Sequence, residues 1–241
     1  MKMNEAIEVH SELNPKLWDG AKLKEEVKNQ ILIIVNAFID YVGVPMKVRD
    51  IQLVGSNASY NYTDDSDLDV HIITNFDAVS SDTYLLQLFY NASKSAFNNK
   101  YDISIHGVPV ELYVEDMETS VHSNGIYSVT TDSWIKAPKI ITELPKYDIT
   151  DNIETWASKI NEALKSGDIE ILSDMIDRLY IMRKNSIAVD GEFGPGNLIF
   201  KELRNMGLVK AIKDKIEELE SNNLSLESLS SGELVNTIDY E

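Results

Sequence analysis

Asp67 and Asp69 stand one residue apart at the head of an apolar run that continues through Val70, Ile72 and Ile73. The run reads as a strand over 67–74. Side chains in a strand alternate sides, so the two carboxylates point the same way. Two carboxylates on one face repel each other unless a cation sits between them. A hard divalent ion such as Mg2+, with Mn2+ as its substitute, suits that arrangement, because it takes carboxylate oxygens, water and phosphate oxygens together. Upstream, residues 50–54 read as another apolar strand ending in Gly55-Ser56, and ten residues lie between Ser56 and Asp67. A Gly-Ser turn presents backbone N–H groups and a hydroxyl to an anion. The stretch reads as a phosphate site facing a metal site.

A third carboxylate is expected downstream. Tyr101 to Glu115 alternates apolar and polar residues on both sides of His106-Gly107, the pattern of a β-hairpin. A two-residue turn sets Ile105 opposite Val108, Ile103 opposite Val110 and Asp102 opposite Glu111. Ile103, Ile105, Val110, Leu112 and Val114 then share the core face, and Asp102, Ser104, Glu111, Tyr113 and Glu115 share the other. An acidic face on a central strand makes sense beside a metal site. Glu111 is the first choice for the third ligand, with Glu115 and Asp102 as competitors. Plainer readings stay open: Asp-x-Asp is common in turns, and a solvated strand edge also carries acids. His71 follows Asp69 on the same face and reads as a neighbour of the site.

The elements that must position these residues are legible in outline. Val27, Ile31, Ile34, Val35 and Phe38 form one helical stripe within 22–41, closed by Gly43 and Pro45. A helix is expected over 81–100, with Tyr84, Leu85, Leu88, Phe89, Ala92 and Phe97 on its buried side and Ser81 or Asp82 as cap. Leu13, Pro15, Leu17 and Trp18 suggest a segment draped over the domain. A short strand is expected near 126–130, with Tyr127, Trp134 and Pro138 as packing anchors, then a linker through Pro138 and Pro145. Beyond Asp151 the pattern is helical. Ile153, Trp156, Ile160 and Leu164 form one stripe, and Ile171, Leu172, Met175, Ile176, Leu179 and Met182 another. The loop 191–196 is glycine-rich but lacks a GK[ST] sequence, so it reads as a turn between helices. Helices over 197–205 and 208–220 follow, and a loose tail is expected from Ser221. The domains read as a draping segment (1–21), a first domain (22–140), a helical domain (148–222) and an acidic tail (223–241).

Bulk composition bounds the function. The 241 residues allow one large domain or two small ones, and a hydrophobic share of 43% is ordinary for a globular chain. A net charge of −18 argues against a broad phosphate-neutralising face, so extended nucleic-acid binding is disfavoured. With no cysteine in the chain, thiolate metal sites, disulfides and cysteine nucleophiles are excluded. The four histidines are scattered without an HxxxH pair, which disfavours a histidine zinc site. The longest apolar run, 31–35, is too short to span a bilayer, so a cytoplasmic protein without a membrane partner is expected.

Gly55-Ser56, the ten-residue spacer, Asp67-Leu-Asp69 and a later strand carboxylate together resemble the nucleotidyltransferase superfamily typified by DNA polymerase beta. The likeness covers about residues 22–116. Leu13-Asn-Pro-Lys-Leu-Trp-Asp19 and Ser66-Asp-Leu-Asp-Val-His71 further resemble nucleotidyltransferase-like proteins of tailed bacteriophages, which would place the chain in the host cytoplasm. The resemblance implies an α+β fold: a palm made of a small mixed sheet with helices on one face, then a C-terminal helical domain, with the site in the cleft between. It implies transfer of an NMP from an NTP to an acceptor hydroxyl, with release of pyrophosphate. Asp67, Asp69 and Glu111 would hold two Mg2+ ions, and Gly55, Ser56, Asn57 and Ser66 would contact the nucleotide. A third carboxylate that is Glu departs from the family's usual Asp. The acceptor is left undefined: a short RNA end, a protein hydroxyl or a small molecule. The other class of function kept open is a catalytically inactive module of this type that binds nucleotide or a partner protein.

Overall fold

Val27, Ile31, Ile34, Val35 and Phe38, the stripe expected in the first helix, are all buried on one side of α1 (Glu25–Val42). The helix closes on Gly43, whose N–H still bonds the Ile39 carbonyl and whose left-handed φ of 68° turns the following chain out of the helix. The computed structural model describes residues 9–64, 66–119, 123–140 and 148–225. They fall into two units, 9–140 and 148–225.

The first unit is mixed α+β. Before α1, β1 (Trp18–Asp19) and β2 (Lys22–Leu23) form a small antiparallel pair. The start of the expected helix at Lys22 is therefore a strand instead, paired back on Trp18. Leu13, Leu17 and Trp18 join the main core, so this part of the expected draping segment lies against the domain, while Pro15 is exposed. Trp18 stacks on Trp134 at 5.0 Å and meets Tyr127 edge-on at 5.0 Å.

After α1 come β3 (Val48–Val54), a 3-10 turn over Ser56–Ala58, β4 (Leu68–Thr74), α2 (Thr83–Lys100), β5 (Ser104–Ile105), β6 (Val108–Asp116), β7 (Ile126–Ser128) and β8 (Ser133–Lys136). The sheet order is β5-β6-β4-β3-β7-β8. β4 and β6 run parallel, joined through α2, and the other neighbours are antiparallel. The expected hairpin forms with Ile105 opposite Val108, and the Val110 N–H reaches the Ile103 carbonyl at 2.9 Å. It is shorter than expected: β5 has two residues, and Asp102 lies outside the ladder and exposed. β7 stops at Ser128, and β8 was not anticipated.

One face of this sheet is apolar. Leu53, Leu68, Val70, Ile72, Leu112 and Val114 belong to a single buried cluster with the α1 stripe. Helix α2 corrects an expectation. Tyr84, Leu85, Leu88 and Phe89 are 74%, 60%, 47% and 39% exposed, whereas Leu86, Tyr90 and Phe97 are buried. The helix is apolar on both sides, and its place beside β6 decides which side turns inward. The Gln87 amide reaches the Val114 carbonyl at 3.4 Å, so α2 runs alongside the open edge of β6. Asp82 caps the helix, accepting from the Leu85 N–H at 2.9 Å.

The second unit consists, among the described residues, of α3 (Thr150–Ser166), α4 (Ile169–Asp190), α5 (Pro195–Asn205) and α6 (Leu208–Leu224). Asp168 caps α4 through the N–H groups of Glu170 and Ile171. Leu172 and Leu179 point inward as expected, but Ile171 is 46% exposed, because it stands one position off that stripe. The glycine-rich loop is a turn between helices. A Cβ on Gly196 would lie 3.0 Å from the Met182 carbonyl oxygen, so glycine allows α5 to start hard against α4. Ser221 to Leu224 continue α6, where a loose tail was expected. The predicted tail beyond Ser225, and Pro145 in the predicted linker, lie outside the described residues.

Candidate functional site

The opposite face of the central strands is polar. Along β4 burial alternates: Leu68, Val70 and Ile72 are buried, and Asp69 and His71 are half-buried. Asp67 stands one residue before the strand, half-buried in the same alternation, which turns it to the side of Asp69. On the neighbouring parallel strand, Glu111 is in register with Asp69, and Tyr113 with His71. Register partners share a face, so Asp69 and Glu111 are cross-strand neighbours on it. The two rival acids do not. Glu115 pairs with Ile73, four residues further along β6, or about 13 Å at the rise of a strand.

The Gly55 turn is built tightly against this pair. Gly55 has φ 74°, and a Cβ placed on it would come within 2.0 Å of Asp69 Oδ2. Glycine thus leaves the space that the Asp69 carboxylate fills. Its N–H donates to the Ser123 hydroxyl at 3.2 Å, so this N–H is not the open donor expected of the turn. The Ser56 hydroxyl donates to Ser66 Oγ at 2.9 Å, and Ser66 Oγ also accepts from the Thr63 N–H at 2.9 Å. Ser66 is 8% exposed, and its hydroxyl ties the two ends of the loop together.

Asn57 is a correction. It was expected among ligand contacts, but it is fully buried. Its amide donates to the carbonyls of Ser66 and Asp67 at 3.0 and 2.9 Å, and its Oδ1 accepts from Asn14 at 2.8 Å. The Asn57 carbonyl accepts from the Trp18 indole at 2.8 Å. Its amide N–H groups hold the backbone just before Asp69, and its amide oxygen ties the turn to Asn14. On the other side of the turn, the Asn124 amide donates to the Ser59 hydroxyl at 2.7 Å, and Gly125 lies against the Ala58 carbonyl. The turn is clamped from two distant parts of the chain.

One residue on the polar face was not anticipated. Lys94 of α2 reaches around the edge of β6 and places its Nζ 3.0 Å from Glu111 Oε1. The same ammonium lies 3.8 Å over the Tyr113 ring. Tyr113 in turn stacks on His71, with ring centroids 4.7 Å apart. His71 is driven down to about 4, first by burial and then by the Lys94 charge, against an upward pull from Glu111. Its Nδ1 is 3.8 Å from Glu115 Oε1, too far for a hydrogen bond. Burial raises the Glu115 carboxyl, and Lys94 offsets part of that rise.

The donor chemistry fits a hard cation, since it consists of carboxylate oxygens on neighbouring rigid elements. Among the described residues no three His, Asp or Glu side chains converge on one point, and Glu111 faces Lys94 instead. Compared with protein-family models, curated proteins and solved structures, the chain finds no match.

Proposed function

We propose that this protein is a Mg2+-dependent nucleotidyltransferase, whose first unit is a polymerase-beta-like palm that transfers an NMP from an NTP to an acceptor hydroxyl. The observation that carries the reading is the register of Asp69 with Glu111 on parallel neighbouring strands, with Asp67 on the same side and the Gly55 turn against Asp69. Asp67 and Asp69 would hold the ion that accompanies the triphosphate, and Glu111 would share a second ion with them. Bound there, divalent ions would neutralise the phosphates and favour in-line attack of the acceptor oxygen on the α-phosphate, with pyrophosphate leaving. The chain's own part is positioning. The buried Asn57 amide fixes the approach to Asp69, the Gly55 turn keeps that carboxylate in place, and the Ser56 hydroxyl closes the loop onto Ser66.

A second reading has a specific observation in its favour. Glu111 is already paired with a lysine, as it would be in an inactive module that binds nucleotide or a partner protein without turnover. Two measurements separate the readings. Calorimetric titration with ATP is expected to show binding that requires Mg2+, and its absence would sink the enzyme reading. Incubation with labelled NTPs and total RNA, cell lysate or candidate small molecules is expected to label one fraction, and Asp67→Asn or Asp69→Asn is expected to abolish that label. Metal-dependent binding with no labelled product in any fraction favours the inactive module.

A further inference from the structure

We propose that Lys94 is a built-in stand-in for the second divalent ion: it holds Glu111 until a nucleotide draws it away, so that the second ion loads only after the substrate. The inference rests on the metal-site reading above.

Three observations carry it. Lys94 is an inward-reaching lysine with only 17% of its side chain exposed, and its ammonium is 3.0 Å from Glu111. It lies over the Tyr113 ring at 3.8 Å, so two separate contacts define its position. It also comes from α2, beside the edge of β6, and not from the strands that carry the carboxylates. The four-carbon stem can therefore move without disturbing the sheet.

The electrostatics follow. Asp69 and Glu111 stand in register, and without a cation their charges repel. A single ammonium satisfies Glu111 while the site is free of metal. A divalent ion on Glu111 would meet that ammonium as a like charge, so Lys94 and the ion exclude each other. A triphosphate offers Lys94 another anionic partner. Nucleotide binding then removes the competitor and frees Glu111 in one step. Lys94 is thus a positioning residue that acts through Glu111, not a group that touches the reacting atoms.

The test is Mn2+ binding, read by the electron paramagnetic resonance of the free ion, on the full chain without nucleotide. Lys94→Met keeps the stem over Tyr113 and removes the charge. Lys94→Gln is the second variant, and circular dichroism and melting check that both fold. The wild-type chain is expected to bind one Mn2+ in a manner that Asp69→Asn abolishes. Lys94→Met is expected to gain a second ion, or to bind Mn2+ about tenfold more tightly, the low end of what one neighbouring charge does to another. Adding Glu111→Gln to Lys94→Met should erase the gain, and a non-hydrolysable NTP should narrow the difference between wild type and Lys94→Met. Wild-type binding with no gain in either folded variant overturns the role of Lys94 and leaves the metal site standing. A gain that survives Glu111→Gln overturns it as well. No Mn2+ binding by any folded form overturns both this inference and the metal-site reading beneath it.

Discussion

The two faces of β4 and β6 are made by alternate residues of the same strands, yet they obey different rules. On one face Leu68, Val70, Ile72, Leu112 and Val114 are 0–3% exposed and close-packed beneath α1. On the other, Asp69, His71, Glu111, Tyr113 and Glu115 are all half-buried, and a lysine from a neighbouring helix lies among them. The apolar face is explained by burial alone. Acids, an imidazole and an ammonium held partly out of water on a central strand pair raise the cost of the fold, and stability does not account for them. Sites of that kind are where function is sought first.

The sharpest way to break the contrast is to damage each face in turn. Leu112 is 1% exposed, so Leu112→Ala is expected to cost about 2–5 kcal/mol by denaturant unfolding. Glu111→Gln, one residue away on the other face, should cost about 1 kcal/mol or less, because its carboxylate is partly solvated and the ion pair is screened. It should nevertheless remove labelled-nucleotide transfer. Comparable stability losses from the two changes would mean that the polar face is ordinary core.

The second effect is on pH dependence. The folded chain holds His71 at about 4 rather than 6.5, while the unfolded chain releases it to its ordinary value. As pH falls below about 6.5 the unfolded state takes up the proton first, so stability is lost between about pH 6.5 and pH 4. The loss attributable to His71 is about 3 kcal/mol. The raised Glu115 carboxyl works in the opposite sense, favouring the fold as it becomes protonated. Melting curves in EDTA between pH 4 and 7.5 should therefore be steeper for wild type than for His71→Asn. Identical slopes would remove His71 from the account.

Gly55→Ala should come next in size. The left-handed φ and the 2.0 Å approach to Asp69 Oδ2 together predict a loss of about 1–3 kcal/mol. Gly43 also has a positive φ, but no atom lies within 4 Å of its Cβ position, so Gly43→Ala is the control for strain without a clash. If the two cost the same, the approach of Asp69 to the turn is looser than its geometry implies.

The apolar face was legible because alternation in β6 and the i, i+3, i+4 stripe of α1 each admit one reading. The acids of the polar face were legible for the same reason, since a charged residue at alternate positions of a strand stands out against Val and Ile. The rest depended on tertiary placement. Helix α2 carries apolar residues on both sides, and only its position at the edge of β6 turns Leu86, Tyr90 and Phe97 inward and leaves Tyr84 and Leu85 outside. A lysine on such a helix reads as solvated, and nothing local marks Lys94 as the partner of a carboxylate 17 residues away. Asn57 was expected to contact the nucleotide, and its burial is set by Asn14 and Trp18, about 40 positions upstream. The strand β8 is too short to leave a periodic signal.

The smallest predicted effect concerns an exception on the apolar side. Tyr90 is fully buried between Phe76 and Phe89, and its hydroxyl has no hydrogen-bond partner among the described residues. Burial raises its pKa, so the phenol stays neutral at any ordinary pH. An unsatisfied hydroxyl in a core costs about 1–3 kcal/mol of desolvation, while the ring itself supplies the packing. Tyr90→Phe keeps the ring and removes the cost, so it is expected to raise stability by about 1 kcal/mol, read as a shift in the denaturant midpoint at constant slope. It should leave Mn2+ binding unchanged, because the ring under Lys94 is that of Tyr113, and the Tyr90 hydroxyl bonds neither Lys94 nor Glu111. A Tyr90→Phe protein that is less stable would mean that the hydroxyl has a partner in solution, and the apolar face would then contain a polar contact after all.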